Sequence, residues 1–166
     1  MSKIDQSLLQ KVEKYVADQL DEKLPEGVLY HSADHARNVV DAIEEIGTKE
    51  GLSNEEMILS KIAGWFHDIG FTVSHIDHEI KSAEIANRFL AGEGLEEKHL
   101  KDVEKAIMAT LIPQNPKNKI GTVLCDADMY HVTTDDYFEQ ANLMREEMKV
   151  IKNMEKPYCR KRKIPL

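Results

Sequence analysis

Cysteine is scarce in this chain, linkers rich in proline, glycine or serine are missing, and no apolar run is long. Two cysteines in 166 residues leave no disulfide framework and no thiolate zinc site, so Cys125 and Cys159 read as reduced, unremarkable thiols. Nothing approaches the roughly 18 consecutive apolar residues of a membrane helix, and the opening MSKIDQSLLQKVEKY carries acids where a secretory signal needs an apolar core. A soluble, cytoplasmic protein with no membrane partner is the expectation. Positive charge is also short: 22 Lys and Arg against 30 Asp and Glu give a net charge of −8, which argues against nucleic acid as a partner. Any phosphorylated ligand must therefore be held locally. Repeats are absent, and the length fits a single domain over residues 1–155, followed by a basic tail, 156–166, holding Arg160, Lys161, Arg162 and Lys163.

What the chain does have is helical periodicity. Ile4, Leu8, Val12, Tyr15, Val16 and Leu20 recur every three or four residues and mark one buried helical face, ended by Pro25-Glu26-Gly27. A second helix is expected over Ala33–Ile46. Ser53 with Glu56 forms a capping-box pattern for a third through Trp65 and Phe66. Asp77 can cap a fourth carrying Ile80, Ile85, Phe89 and Leu90, and Leu100, Val103, Ile107 and Leu111 define a fifth. A short helix starts near Ile120, and Thr133 with Asp136 resembles a cap for a last one through Phe138, Met144, Met148 and Ile151. Strand-type alternation is hard to find, so the fold class is all-α, a compact multi-helix bundle. The methionines Met144, Met148 and Met154 read as core filling.

Against that background the histidines and acids are unevenly placed. His31 and His35 are four apart, so they share a helix face, or else His31 stands at the helix entry within reach of the same cleft. His67-Asp68 closes an apolar helix, where a carboxylate is costly to bury without a cation or several hydrogen bonds. Asp126 and Asp128 follow Val123-Leu124 in the same way. One ion could satisfy several of these acids. Two imidazoles and two carboxylates make a mixed nitrogen and oxygen set that suits Mn, Fe, Co or Mg as the divalent cofactor better than a closed zinc site. His75 and His99 read as exposed, His131 as the start of a turn, and Arg37 as a salt-bridge partner rather than a phosphate contact.

Three segments in this order, Tyr30-His31-Ser32-Ala33-Asp34-His35, Gly64-Trp65-Phe66-His67-Asp68-Ile69-Gly70 and Leu124-Cys125-Asp126-Ala127-Asp128, resemble the HD superfamily of metal-dependent phosphohydrolases. His67 lies 32 residues after His35, and Asp126 lies 58 after Asp68; the likeness covers about residues 28–150. Carried over, the resemblance implies His35, His67, Asp68 and Asp126 as metal ligands and His31 as general acid, with Asp68 also a candidate proton acceptor. His78-Glu79 is similar to the third-histidine element of two-metal members, but the next histidine of that pattern is replaced near Thr110, so one ion per chain is favoured. Ile69-Gly70-Phe71-Thr72 stands where members that hydrolyse guanosine tetraphosphate carry Glu-Asp, and the Gly-Tyr-Pro element of cyclic-di-GMP phosphodiesterases is missing.

The function so implied is hydrolysis of a phosphoester or phosphoanhydride bond in a small phosphorylated molecule, a nucleotide being the favoured substrate. Water activated by the metal would be the nucleophile, and His31 needs a carboxylate such as Asp34 or Asp68 to sustain its proton. The alternatives are a non-catalytic nucleotide- or protein-binding module of the same fold, and an iron-dependent oxygenase. A homodimer is compatible with either.

Overall fold

A computed structural model describes the backbone of residues 4–159 and side chains through Asn153. Seven α-helices and no strands occur among the described residues: α1 (Gln6–Lys23), α2 (Ala33–Lys49), α3 (Asn54–Phe66), α4 (His78–Gly92), α5 (Glu97–Ala109), α6 (Lys119–Asp128) and α7 (Tyr137–Cys159). Single 3-10 turns cover Ile69–Thr72 and Tyr130–Thr133. The all-α expectation therefore holds. No described helix is long and apolar enough to cross a membrane.

The starts of α1, α2, α3 and α6 follow local chemistry. Asp5 accepts hydrogen bonds from the amides of Ser7 and Leu8, Ser32 from His35, and Asn118 from Gly121, so each side chain satisfies amide groups that a first turn leaves unpaired. Ser53 and Glu56 form the reciprocal capping box expected for α3. Two expected caps differ. Asp77 does precede α4, but it sits at φ 54° and makes no side-chain capping bond. Thr133 belongs to the 3-10 turn and donates to the Tyr130 carbonyl, while the Asp136 carbonyl accepts the first helical bond of α7, from Gln140.

Helix α3 is the centre of the bundle, packed against α1, α2, α4, α5 and α6. Ile62, Ala63 and Phe66 on it are fully buried, with Leu20, Ile43, Leu90, Ile107 and Leu124 around them. Such a helix, apolar on nearly all sides, requires partners on all sides. Gly64 lets α2 come close, because a Cβ there would lie 2.6 Å from Ile43 Cδ1.

Four residues read as inward are exposed: Ile80, Leu111, which lies beyond the end of α5, Phe138 and Met148. The described side chains of α7 stay outside the main core. Ile151 joins Val28 and Phe71 in a small second cluster. Because α7 continues to Cys159, the segment expected as a tail from residue 156 begins inside that helix. Arg160, Lys161, Arg162 and Lys163 lie outside the described residues.

Candidate metal centre and its cavity

The third helix delivers the first two members of the site. His67 is its C-cap, and the chain then turns sharply, so the two adjacent side chains face the same point. Gly70 makes that turn possible. A Cβ at Gly70 would lie 2.0 Å from the His78 carbonyl oxygen, a distance no side chain can occupy. The Gly70 amide donates to the buried Ser82 hydroxyl at 2.8 Å, which ties the turn to α4.

Helix α2 supplies His35 within its first turn, while His31 stands just ahead of the Ser32 cap. Of the two geometries open to this pair, the structure adopts the second: His31 is at the helix entry, and the two rings are 6.0 Å apart.

The fourth member comes from the last residue of α6, Asp128. Donor atoms of His35, His67, Asp68 and Asp128 all lie within 4.8 Å of one another. Asp126, the aspartate selected from the family resemblance, is exposed on the opposite side of the helix. The reason is rotational. At about 100° per residue, Asp128 returns to the face of Leu124, four residues earlier, whereas Asp126 points about 200° away from it.

Distances within the cluster are short but not tight. His35 Nε2 is 3.4 Å from Asp68 Oδ2 and 3.2 Å from Asp128 Oδ1. His67 Nε2 is 2.9 Å from Asp68 Oδ2 and 3.4 Å from Asp128 Oδ1. The His67 ring is wholly buried, and its Nδ1–H donates to the Gly64 carbonyl at 2.7 Å. That bond fixes a proton on Nδ1 and leaves Nε2 pointing into the cluster, where it makes no well-formed hydrogen bond. A buried imidazole nitrogen left in this way beside two carboxylates is what a divalent ion would satisfy. The residues present therefore fit a bound metal.

The electrostatics agree. Burial opposes the charged form of every group here, yet it is outweighed throughout. The negative charges of Asp68 and Asp128 hold His67 well above the usual histidine range, and their contacts with the His35 ring raise His35. The histidines in turn hold Asp68 and Asp128 well below the carboxylate range. Two carboxylates with so little positive charge near them retain protons on their neighbours, and a metal ion replaces such protons.

Other histidines surround this centre. His78 Nε2, at the start of α4, is 3.4 Å from Asp68 Oδ1 and 3.3 Å from the largely buried Glu79. Burial disfavours its imidazolium, but Asp68 and Glu79 prevail and raise its pKa. Thr110 is buried on the same cavity and donates to the Ile107 carbonyl, so this threonine does face the site. His131, read as a turn residue, lines the cavity with Nδ1 3.3 Å from the Tyr30 hydroxyl. His75 and His99 are half-buried rather than exposed, and His99 faces Glu55 at 3.3 Å. Arg37 pairs with Asp34 at 2.8 Å and lies over the Trp65 ring, the structural role expected of it.

His31 is held by a residue the sequence did not single out. Glu147 of α7, fully buried, accepts from the His31 ring at Nδ1 and from the amides of Tyr30 at 2.7 Å and His31 at 3.0 Å. Burial raises the carboxyl pKa of Glu147, but these bonds dominate and lower it. Phe71 stacks on the other side of the ring, with centroids 4.0 Å apart. The carboxylate that partners His31 is thus Glu147; Asp34 is occupied with Arg37 on the surface. The only sequence signal for Glu147 is its place on the inward stripe with Met144 and Ile151.

The metal-type cluster opens into a cavity of about 600 Å³ walled by α7, the 130–133 turn and the loop after α5. Met144 and Met148 line it, so neither fills the core as the sequence suggested; the Met154 side chain is outside the described ones. Cys125 is buried away from this cavity, donates to the Ala109 carbonyl at 3.3 Å, and has its thiol pushed up to about 11, chiefly by burial. It is the inert thiol expected.

The fold is thus an all-α bundle that gathers two imidazoles and two carboxylates beside a cavity, a set that could hold a metal ion. The family follows from sequence: the HD domain model matches residues 32–133, more than half of the chain, and the protein belongs to the HD-domain family. The fold is similar to that of a predicted HD superfamily hydrolase from an uncultured Thermotogales bacterium, known from a crystal structure, with a TM-score of 0.64 and 18% sequence identity over 92% of this chain and 91% of that one. No curated protein matches the chain.

Proposed function

We propose that this protein is a metal-dependent phosphohydrolase acting on a small phosphorylated molecule of nucleotide size. The observation that carries the reading is the buried, unpartnered Nε2 of His67, clustered with His35, Asp68 and Asp128, of which the two aspartates line an open cavity. His35, His67, Asp68 and Asp128 would hold one divalent ion, Mn, Fe, Co or Mg. Such an ion supplies Lewis acidity toward a phosphoryl oxygen and toward water.

The remaining work falls to the chain's own groups. Glu147 accepts from Nδ1 of His31 and fixes the ring between Phe71 and the cavity. His31 Nε2 then delivers a proton to the departing oxygen. Asp68, whose Oδ1 faces the cavity beside His78, accepts a proton from the attacking water. The cavity volume is within the range of sites that enclose a ligand the size of a mononucleotide. The hydrolase name of the structurally similar Thermotogales protein agrees with this reading.

The test is turnover by Mn²⁺-loaded protein on nucleoside mono-, di- and triphosphates and cyclic nucleotides, with Asp68→Ala as control. Product formation that disappears in the control supports the reading. Metal binding without turnover of any compound would make the domain a non-catalytic binding module.

A further inference from the structure

Helix α7 presents Tyr137, Ala141, Met144 and Met148 to the cavity, at spacings of four, three and four residues. This is one continuous stripe of a helix. It is not spent on the core: Met148 is 42% exposed, and among the described residues of α7 only Ile151 joins a buried apolar cluster. Facing the stripe are Met129 between α6 and the 3-10 turn, Val132 on that turn and Ile112 on the loop after α5, each at least 48% exposed. One end of the cavity is therefore formed by Asp68 and Asp128 with His31 and His78 beside them, and the rest is mainly apolar and open to solvent.

The charge on the lining is equally one-sided. Asp68, Glu79 and Asp128 are acidic, and Arg145 is the one lysine or arginine among the described lining residues. His31 is paired with Glu147, and His78 with Asp68 and Glu79. A divalent ion in the cluster would balance the Asp68 and Asp128 charges and keep open coordination positions for about one phosphate group. A triphosphate chain would place its remaining charges against carboxylates with a single guanidinium to answer them. Hydrogen-bonding groups along the apolar wall are also few, and the Thr110 hydroxyl already donates to the Ile107 carbonyl.

We infer that the cavity selects phosphomonoesters with one phosphate and an apolar or aromatic body, the body lying on the Tyr137–Ala141–Met144–Met148 stripe. This deepens the proposed function and rests on it. Methionines suit the role, since flexible, polarizable side chains adapt to aromatic surfaces of differing outline. A nucleoside monophosphate belongs to this class and a nucleoside triphosphate does not.

The experiment compares calorimetric binding of naphthylmethylphosphonate and methylphosphonate to Mn²⁺-loaded protein. Turnover of naphthyl phosphate, glycerol phosphate and a nucleoside triphosphate is followed at fixed free Mn²⁺. The arylphosphonate should bind about tenfold or more tighter than methylphosphonate, as burial of an aromatic group predicts. A Met144→Ser/Met148→Ser protein should lose most of that preference while its methylphosphonate affinity stays within about twofold. The single Met148→Ser change, at an exposed position, repeats the test if the double variant folds poorly. Equal binding of the two phosphonates, or a higher kcat/KM for the triphosphate than for naphthyl phosphate, would overturn the inference. Arylphosphonate binding with no turnover of any ester would leave the selectivity standing and remove the hydrolase reading instead.

Discussion

Glu147 and His31 lie 116 residues apart, and the Glu147 carboxylate accepts hydrogen bonds from both the backbone amide and the ring of His31. One buried carboxylate therefore fixes the position, tautomer and orientation of the proposed acid, and it also joins α7 to the entry of α2. Glu147→Gln keeps the shape but cannot accept from three donors equally well. We expect kcat to fall by about tenfold to a hundredfold with metal content unchanged, and stability to drop by about 1–3 kcal/mol. Steady-state kinetics and metal analysis on the same preparation check both halves.

Acid should act on the same pair. The Glu147 carboxyl is held below its ordinary value of about 4.3, so the unfolded chain takes up its proton first as pH falls. The stability from this group is complete above the ordinary value and is lost as pH drops through the lower native one. Melting temperatures between pH 3 and 6 should fall less steeply for Glu147→Gln than for the wild type. Parallel curves would show that other carboxylates set the acid limit.

Asp126 and Asp128 offer a sharp comparison, since they are two residues apart on one helix. Asp128→Ala removes one of four clustered donors and should weaken Mn²⁺ binding by at least tenfold, the scale on which altering a metal site is felt. Asp126→Ala, on the exposed face, should leave affinity within about twofold. Titration calorimetry on the two variants decides it.

Metal should also stabilise the fold. Binding at about 100 times Kd adds about 2.7 kcal/mol, which for a domain of this size raises the melting temperature by about 5–10 °C. His67→Ala should abolish the rise, because it removes the buried nitrogen that lacks any other partner.

Gly70 tests the turn that sets the site. Gly70→Ala places a methyl group against the His78 carbonyl, and the required displacement should cost about 3 kcal/mol. Urea denaturation measures the cost. Because the clash falls on His78 and the turn after Asp68, metal affinity should fall with it.

Periodicity alone determined much of this protein. The starts of α1, α2 and α3 follow from side chains that pair with amides three residues away at most, and His35, His67 and Asp68 stand out as polar groups on apolar helices. These are local effects, legible because a capping bond or a helical face involves neighbours in sequence. Even the choice of Asp128 over Asp126 was within reach, since the angular step from Leu124 separates them.

What only the tertiary structure decided lies across long separations. Glu147 on its own looks like any acid of a charged helix; its burial comes from α7 crossing the entry of α2. Met144 and Met148 fit a core stripe equally well by spacing. They line a cavity because α7 packs through Ile151 on Val28 and Phe71, leaving Tyr137, Ala141, Met144 and Met148 facing the site. Helical spacing specifies which side chains share a face, and the docking of whole helices determines what that face meets.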